Sequence, residues 1–293
     1  MNNILIIGAN GLIGKSLVSL SESIPGQVFT ADVAGDADLI VKGTNDINDI
    51  STFIAKNGVS VVVNLAAISS DKRCQESPHL VDATNIEFPC RLLESLITRN
   101  EKILFIHTST EWIYGDLARV ESPIPPDHIS LTGLGLYASS KLRSEQELCK
   151  IASVNHRVLI LRLGIVYSVF NKDCNSFVNK ALEAASSCIP FTCNSGLSAR
   201  RYVSMDQVCA TFIAAMSNSV QQRLQIFNVQ GPRLITNLRV LELVKSYKSD
   251  FEFHVSENVS PPSIRDVNDS RVLPGLSEYN LDEQIKLFFG GEC

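Results

Sequence analysis

Through the first 165 residues or so, short and continuously apolar runs alternate with longer stretches of helical period, which restricts the chain more than any other feature. Candidate strands are Asn3–Ile7, Gln27–Ala31, Asp38–Val41, Ser60–Leu65, Ile103–Thr108 and Arg157–Leu163. Between them lie the amphipathic stretches Leu12–Glu22, Ile47–Lys56, Pro78–Thr98 and Tyr137–Ala152. Val61-Val62-Val63 and Ile103-Leu104-Phe105-Ile106 are apolar without interruption, as strands covered on both faces are. Strand–helix alternation joins parallel neighbours through crossovers, so the expected fold is α/β, a doubly wound parallel sheet. After Leu163 the rhythm breaks into shorter pieces: the helix-like Phe177–Ser186 and Met205–Met216, the strand-like Tyr202–Ser204 and Ile226–Val229, and a Pro- and Ser-rich loop at Ser260–Ser263. The expected organisation is a core of residues 1–165 to which 201–232 return, with 166–200 and 233–293 forming a small C-terminal lobe.

Composition excludes several classes. Lysine and arginine number 26 against 31 aspartates and glutamates, a net charge of −5, so nothing attracts a nucleic acid or an anionic membrane. No apolar run approaches the roughly 20 residues of a spanning helix. The start, Met1-Asn-Asn-Ile-Leu-Ile-Ile-Gly8, lacks the basic and apolar regions of a signal peptide. The cysteines at 74, 90, 149, 174, 188, 193, 209 and 293 form no Cys-x-x-Cys pair and have no histidine at zinc-ligand spacing, so no metal is expected. They read as reduced, packing thiols, Cys188 and Cys193 included, in a cytoplasmic chain. His107, inside an apolar strand, reads as a satisfied core histidine.

Gly8-Ala-Asn-Gly11-Leu-Ile-Gly14 follows directly on the first strand and opens a helix. Glycines at this spacing allow a tight turn whose backbone amides approach a pyrophosphate at the positive end of the helix. Gly8, Asn10, Gly11, Leu12, Ile13 and Gly14 are therefore expected to hold a dinucleotide. At the end of the second strand Asp32 can accept hydrogen bonds from ribose hydroxyls and would repel a 2′-phosphate, which favours NAD over NADP. Tyr137-Ala-Ser-Ser-Lys141 sets a phenol and an ammonium one helical turn apart on one face. A lysine so placed can lower the phenol's pKa and let it exchange a proton near neutral pH.

With these residues in place, the sequence resembles the extended short-chain dehydrogenase/reductase family: nucleotide-sugar epimerases, dehydratases and 4-keto reductases. Further stretches match in the family's order, over residues 3 to about 230. Asp46-Ile47 resembles the family's adenine contact, and Leu65-Ala66-Ala67 the strand end along the cofactor. Pro78 followed by Asn85 resembles the helix with an active-site asparagine, which puts Asn85 among the residues implied to bind the cofactor. Ser109-Thr110-Glu111-Trp112-Ile113-Tyr114-Gly115 places Thr110 at the catalytic hydroxyl position. Leu161-Arg-Leu-Gly-Ile-Val-Tyr167 and Arg200-Arg-Tyr-Val203 match later landmarks, with Arg200 where the family contacts substrate phosphate. Two departures lie toward the substrate side: Gly133 replaces a common proline and Ser168 a common glycine.

The resemblance implies a Rossmann-type core, a substrate-binding C-terminal lobe, NAD, and reversible hydride transfer at a sugar secondary alcohol, at C4 of a nucleoside-diphosphate hexose. Thr110, Tyr137 and Lys141 would be catalytic, with Lys141 also on the nicotinamide ribose; Glu111 and Arg200 would face substrate. A dehydratase of the family has an Asp-Glu pair after the catalytic threonine; here it reads Glu111-Trp112, which argues against dehydration. Asp32 and the Arg200 segment lean toward an epimerase. The alternatives are an NAD(P)H-dependent 4-keto-sugar reductase of the dehydrorhamnose type and, in another class, a non-catalytic dinucleotide-binding regulatory subunit. The family also implies a homodimer through Pro78–Thr98 and Tyr137–Ala152.

Overall fold

The computed structural model describes residues 2–24, 26–99, 102–115, 129, 133–152, 156–217, 222–256, 262–267 and 280–290. The chain divides into two compact units: residues 1–113, 130–162 and 209–227 form the first, and 114–129, 163–208 and 228–293 the second.

The first unit is built on a seven-stranded sheet. Its strands are β1 (Asn3–Ile7), β2 (Val28–Asp32), β3 (Leu39–Ile40), β4 (Val59–Asn64), β5 (Ile103–Thr110), β6 (His156–Leu163) and β11 (Leu224–Val229). Their order across the sheet is β11-β6-β5-β4-β1-β2-β3. β1 pairs in parallel with both β2 and β4 (Ile6 with Thr30 and with Val63), β2 with β3, and β4 with β5. The helices are α1 (Leu12–Val18), α2 (Ile47–Lys56), α3 (Asp71–Glu76), α4 (Pro78–Val81), α5 (Phe88–Thr98) and α6 (Leu136–Ile151), and the chain re-enters through the later part of α8 (Met205–Ser217). This is the Rossmann-type doubly wound fold the sequence predicts. The strand order reverses between β1 and β4, and the carboxyl ends of strands at such a switch point form a natural ligand crevice. α2 buries Ile47, Ile50, Ser51 and Ile54, the one-sided stripe of an amphipathic helix. These isoleucines join Leu92, Leu93 and Leu96 of α5 and Leu5, Val62, Phe105 and Ile160 of the strands in one core.

The second unit has a core of its own. α7 (Phe177–Ser186) buries Val178, Ala181, Leu182 and Ala185. They cluster with Val240, Leu241 and Val244 of α9 (Asn237–Tyr247) and with Leu281 and Ile285 of α10 (Leu281–Gly290). Ser176 and Thr236 cap α7 and α9, each accepting the backbone N–H three residues on, at 3.1 Å. Short strands pair around these helices: β7 (Val166–Tyr167) with β10 (Val203–Ser204), β8 (Phe191–Cys193) with β13 (Phe253–Val255), and β9 (Ala199–Arg200) with β12 (Ile235–Thr236).

The structure differs from the sequence expectations in four places. Of residues 201–232 only 209–227 return to the first unit; 201–208, whose Val203 and Ser204 pair with Val166 and Tyr167, and 228–232 belong to the second. Residues 114–129 also belong there, Tyr114 being tied to Asn228 by a 2.9 Å hydrogen bond from its hydroxyl. The helix predicted over Pro78–Thr98 is α4, a π-helical turn at Asp82–Glu87 and α5, the wider turn carrying the buried Asn85. Cys188 is exposed, in a left-handed conformation (φ 53°) just past α7, so it does not pack, whereas Cys193 is buried. Cys293 and the stretch Ser260–Pro261 lie outside the described residues.

Candidate active site

At the carboxyl end of β1 the glycines are required by close backbone approach. Gly8 has φ +86°, and a Cβ on it would lie 2.8 Å from the backbone nitrogen of Ala66. A Cβ on Gly14 would lie 2.2 Å from the Gly8 carbonyl oxygen. The turn therefore nests against the Leu65-Ala66-Ala67 segment that leaves β4, whose residues are all half-buried. Leu12 and Ile13 open α1 behind Gly11, the residue at the helix cap.

Asp32 fastens this turn to the end of β2. One carboxylate oxygen accepts the Asn10 N–H at 2.7 Å and the other the Val33 N–H at 2.7 Å. The Asn10 side chain donates to the Ala34 carbonyl at 2.6 Å. Gly35 (φ +87°) leaves room for it, since a Cβ there would lie 2.7 Å from Asn10 Nδ2. Each Asp32 oxygen keeps a further lone pair for a ribose hydroxyl. Asp46 accepts the Lys42 N–H just before α2, and the side chain of Ile47 belongs to the core. Asn85 is fully buried. Its oxygen accepts the Ile68 N–H at 2.8 Å, and its amide donates to the Ile68 carbonyl at 3.1 Å and to Ser140 Oγ at 2.9 Å. It thus holds the loop after β4 against α6.

The groups expected to move a proton come together at the end of β5 and the start of α6. Thr110 is buried at the last position of β5, and its hydroxyl acts on the Tyr137 phenol, favouring the ionised form. Thr110 Oγ1 also accepts the Trp112 N–H at 3.3 Å. Glu111 is buried and Trp112 half-buried in the 3-10 turn that follows. Lys141, one turn along α6, is 1% exposed and donates from Nζ to the Thr108 carbonyl at 2.8 Å.

Burial dominates the electrostatics here. It pushes the Tyr137 phenol up to about 12, opposed by the Thr110 hydrogen bond and reinforced by Cys74 and Asp71. The depression expected from Lys141 does not prevail. Burial also lowers Lys141 to about 8, against the pull of Glu145. His107 lies beneath, fully buried, with Nδ1 hydrogen-bonded to Asn64 at 3.2 Å and Nε2 to Ser144 at 3.3 Å. Burial and the Lys141 charge hold it neutral, well below its ordinary pKa.

A group that sequence reading missed anchors α6 from below. Glu145 forms a 2.8 Å ion pair with Arg162 of β6, both side chains at most 5% exposed, and Arg162 Nε reaches both carboxylate oxygens. Nothing in the pattern around Arg162 marks it as paired, because its partner lies on another element. Gly133 has φ +74°, which a proline cannot adopt, so its departure from the family pattern follows from the backbone before α6.

In the second unit, Arg200 on β9 donates from Nη1 to the carbonyls of Ala199 at 2.8 Å and Ser263 at 2.5 Å, and from Nη2 to Ser263 Oγ. Arg201 pairs through Nε with Asp266 at 2.5 Å. Arg265, 3% exposed and absent from the sequence expectations, donates to the Gly115 carbonyl at 2.8 Å. Its backbone N–H is bonded to Ala199, so it lies on the segment beside β9.

The first unit fits a dinucleotide on its own evidence. The positions of Gly8 and Gly14 have no room for a side chain, and the hydroxyls of Thr108 and Ser109 at the end of β5 are buried without a hydrogen-bond partner among the described residues. Among those residues no group of three or more His, Cys, Asp or Glu side chains is placed to hold a metal ion. No helix among them is long and apolar enough to cross a membrane.

Residues 4–229 match the NAD dependent epimerase/dehydratase family. The probable low-salt glycan biosynthesis reductase Agl14 of Haloferax volcanii is 26% identical over 171 residues, 55% of this chain and 53% of that protein. The chain thus spans about half the length of the curated relative it matches. Among solved structures, the UDP-glucose 4-epimerase of Thermotoga maritima with UDP-glucose superposes with a TM-score of 0.80 at 22% identity, over 98% of this chain and 97% of that one. The UDP-glucose 4-epimerase of Thermus thermophilus in complex with NAD gives 0.80 at 18% identity, over 98% of each chain. At these identities the likeness is one of fold.

Proposed function

The chain belongs to the NAD dependent epimerase/dehydratase family, and we propose that it is an epimerase acting by reversible hydride transfer at a secondary alcohol, C4, of a nucleoside-diphosphate hexose. The observation that carries this reading is the meeting of the buried Thr110 with the Tyr137 phenol, with Lys141 buried one turn on along α6. When bound, NAD supplies the hydride acceptor and returns the hydride. The glycine turn and Asp32 hold the dinucleotide, together with Asp46, Ile47 and the Leu65–Ala67 segment. Asn85 supports this site by holding the loop after β4.

Tyr137 takes the alcohol proton as the carbonyl forms and gives it back on reduction. Thr110 holds the same oxygen, so one hydroxyl aligns both partners of the proton transfer. Lys141 orients the ribose of the dinucleotide and, when charged, stabilises the phenolate. An epimerase releases the hydride to the other face of the sugar, which requires no further acid or base. Glu111 is the one carboxylate beside Thr110, and Trp112 occupies the position where a dehydratase has its second, so elimination of water is not part of the reaction. Arg200 is the guanidinium assigned to the substrate phosphates, a role that requires it to exchange its bonds to Ser263 for phosphate oxygens.

One observation favours a second reading, a 4-keto-sugar reductase: the curated relative is named a reductase. The test begins with UDP-glucose as probe. Tyr137→Phe is expected to lower turnover at least a hundredfold while NAD binding stays intact. Full activity in that variant would refute the proposed mechanism. Retained NAD favours the epimerase, whereas a protein that consumes free NADH with 4-keto sugars is a reductase.

A further inference from the structure

We infer that Asp71, on α3, is a positioning residue that acts as the N-cap of α6 and so fixes Tyr137, the acid/base of the function proposed above, on which this inference rests. The first amides of any helix lack intrahelical acceptors and are ordinarily satisfied by a side chain at the cap. At the start of α6 the cap residue is Gly135, which has no side chain to offer. The Tyr137 N–H is accepted instead by Asp71 Oδ1, 66 residues earlier, at 3.0 Å. Gly135 has φ −65°, open to any residue, so its backbone does not call for glycine. Space does: a Cβ there would lie 2.5–2.7 Å from the Asp71 carboxylate. The carboxylate occupies the place of the missing cap and brings a negative charge to the positive end of the helix.

The rest of Tyr137's backbone is held in the same way. Ser140 Oγ donates to the Tyr137 carbonyl at 2.8 Å and accepts from Asn85, which grips both backbone groups of Ile68. Cys74, buried on α3, donates to the Ile68 carbonyl at 3.7 Å. A closed ring thus runs from Tyr137 through Asp71 and α3 to Ile68, Asn85, Ser140 and back. A side chain from outside its own helix grips Tyr137 at one end and a neighbour in its own turn grips it at the other. The groups bearing on the phenol are Asp71 and Cys74 from α3 and Thr110 from β5. The same carboxylate that seats the helix therefore also favours the protonated phenol.

The test uses the full chain labelled with 15N-tyrosine, the Tyr137 amide being identified as the signal missing from Tyr137→Phe. Asp71→Ala is expected to speed hydrogen exchange at that amide about fivefold to tenfold, the effect of losing one cap. Adding Gly135→Ser to Asp71→Ala places a local cap in the space vacated and is expected to bring exchange back within about twofold of the natural chain. With UDP-glucose as probe, kcat should fall in Asp71→Ala with KM unchanged and recover in the double variant. Unchanged exchange in Asp71→Ala, or no recovery in the double variant, overturns the inference. Failure of the underlying function reads differently: Tyr137→Phe would then retain turnover, whatever the exchange rates show.

Discussion

The glycine turn of the first unit and the Arg200 strand of the second hold their polar groups by different means. In the first, backbone meets backbone so closely that no Cβ fits at Gly8 or Gly14, and a single carboxylate, Asp32, locks the turn to the adjacent loop. In the second, Arg200 and Arg201 are held by side chains and carbonyls 63 and 65 residues away, Ser263 and Asp266, in a half-buried setting. A steric cradle of the first kind is pre-formed and rigid, which suits a ligand retained through many turnovers. Side-chain bonds of the second kind can be exchanged for those of a ligand, which suits a substrate that must leave. Mutations in the first unit should therefore cost stability, and those around Arg200 should change affinity.

The largest effect is expected at the ion pair beneath α6. Arg162→Met leaves Glu145 buried without its partner and should destabilise the fold by about 3–5 kcal/mol, measured by urea unfolding. A loss under about 1 kcal/mol, the scale of an exposed pair, would mean that the first unit is not the rigid half.

Lys141 sharpens the comparison through pH. Its pKa falls from 10.5 to about 8 on folding, so between those values the unfolded chain binds the proton that the folded chain has released. Stability contributed by this group therefore rises with pH across that window, by about 3 kcal/mol in total. Tyr137 works in the opposite direction above pH 10, because its folded pKa is raised. The difference in stability between the natural chain and Lys141→Met isolates the lysine, and a flat difference between pH 8 and 10.5 would contradict its burial.

Gly14→Ala should cost about 2 kcal/mol from the collision with the Gly8 carbonyl and should abolish NADH binding. Energy transfer from Trp112, the single tryptophan, to the reduced nicotinamide provides the readout. Binding that survives would show the turn to be soft. The smallest effect is expected at Ser263→Ala, under about 1 kcal/mol of stability. UDP should bind that variant as well as or better than the natural chain, since Arg200 then gives up fewer bonds. Weaker UDP binding would mean that Ser263 orients Arg200 rather than competing with phosphate.

How much of this is legible in the sequence follows from how local each feature is. β4 and β5 are readable because both their faces are covered, which leaves the uninterrupted runs Val61-Val62-Val63 and Ile103-Leu104-Phe105-Ile106. The glycine turn is readable because its three glycines fall within seven residues directly after β1, although the backbone that Gly8 approaches is that of Ala66. The short, polar α3 has too few residues for a period to emerge, and the π-helical turn around Asn85 depends on what that side chain grips 17 residues earlier. Arg162 is invisible as an anchor, because its only mark is a charge inside an apolar strand whose partner lies on α6. Arg200 reads as a phosphate-binding group from its motif, while its bonds to Ser263 come from a loop beyond the reach of any spacing rule. The depression expected of Tyr137 fails for a related reason: spacing reports the lysine one turn away but not the burial that outweighs it.

The central claim is that the first unit retains NAD while Tyr137 and Thr110 work on the sugar. It is tested most directly by denaturing the freshly purified full chain and identifying the dinucleotide released, by chromatography and absorbance. The account predicts NAD at close to one molecule per chain. A protein that releases no dinucleotide would contradict it, and one that then binds and oxidises added NADH would be the reductase instead.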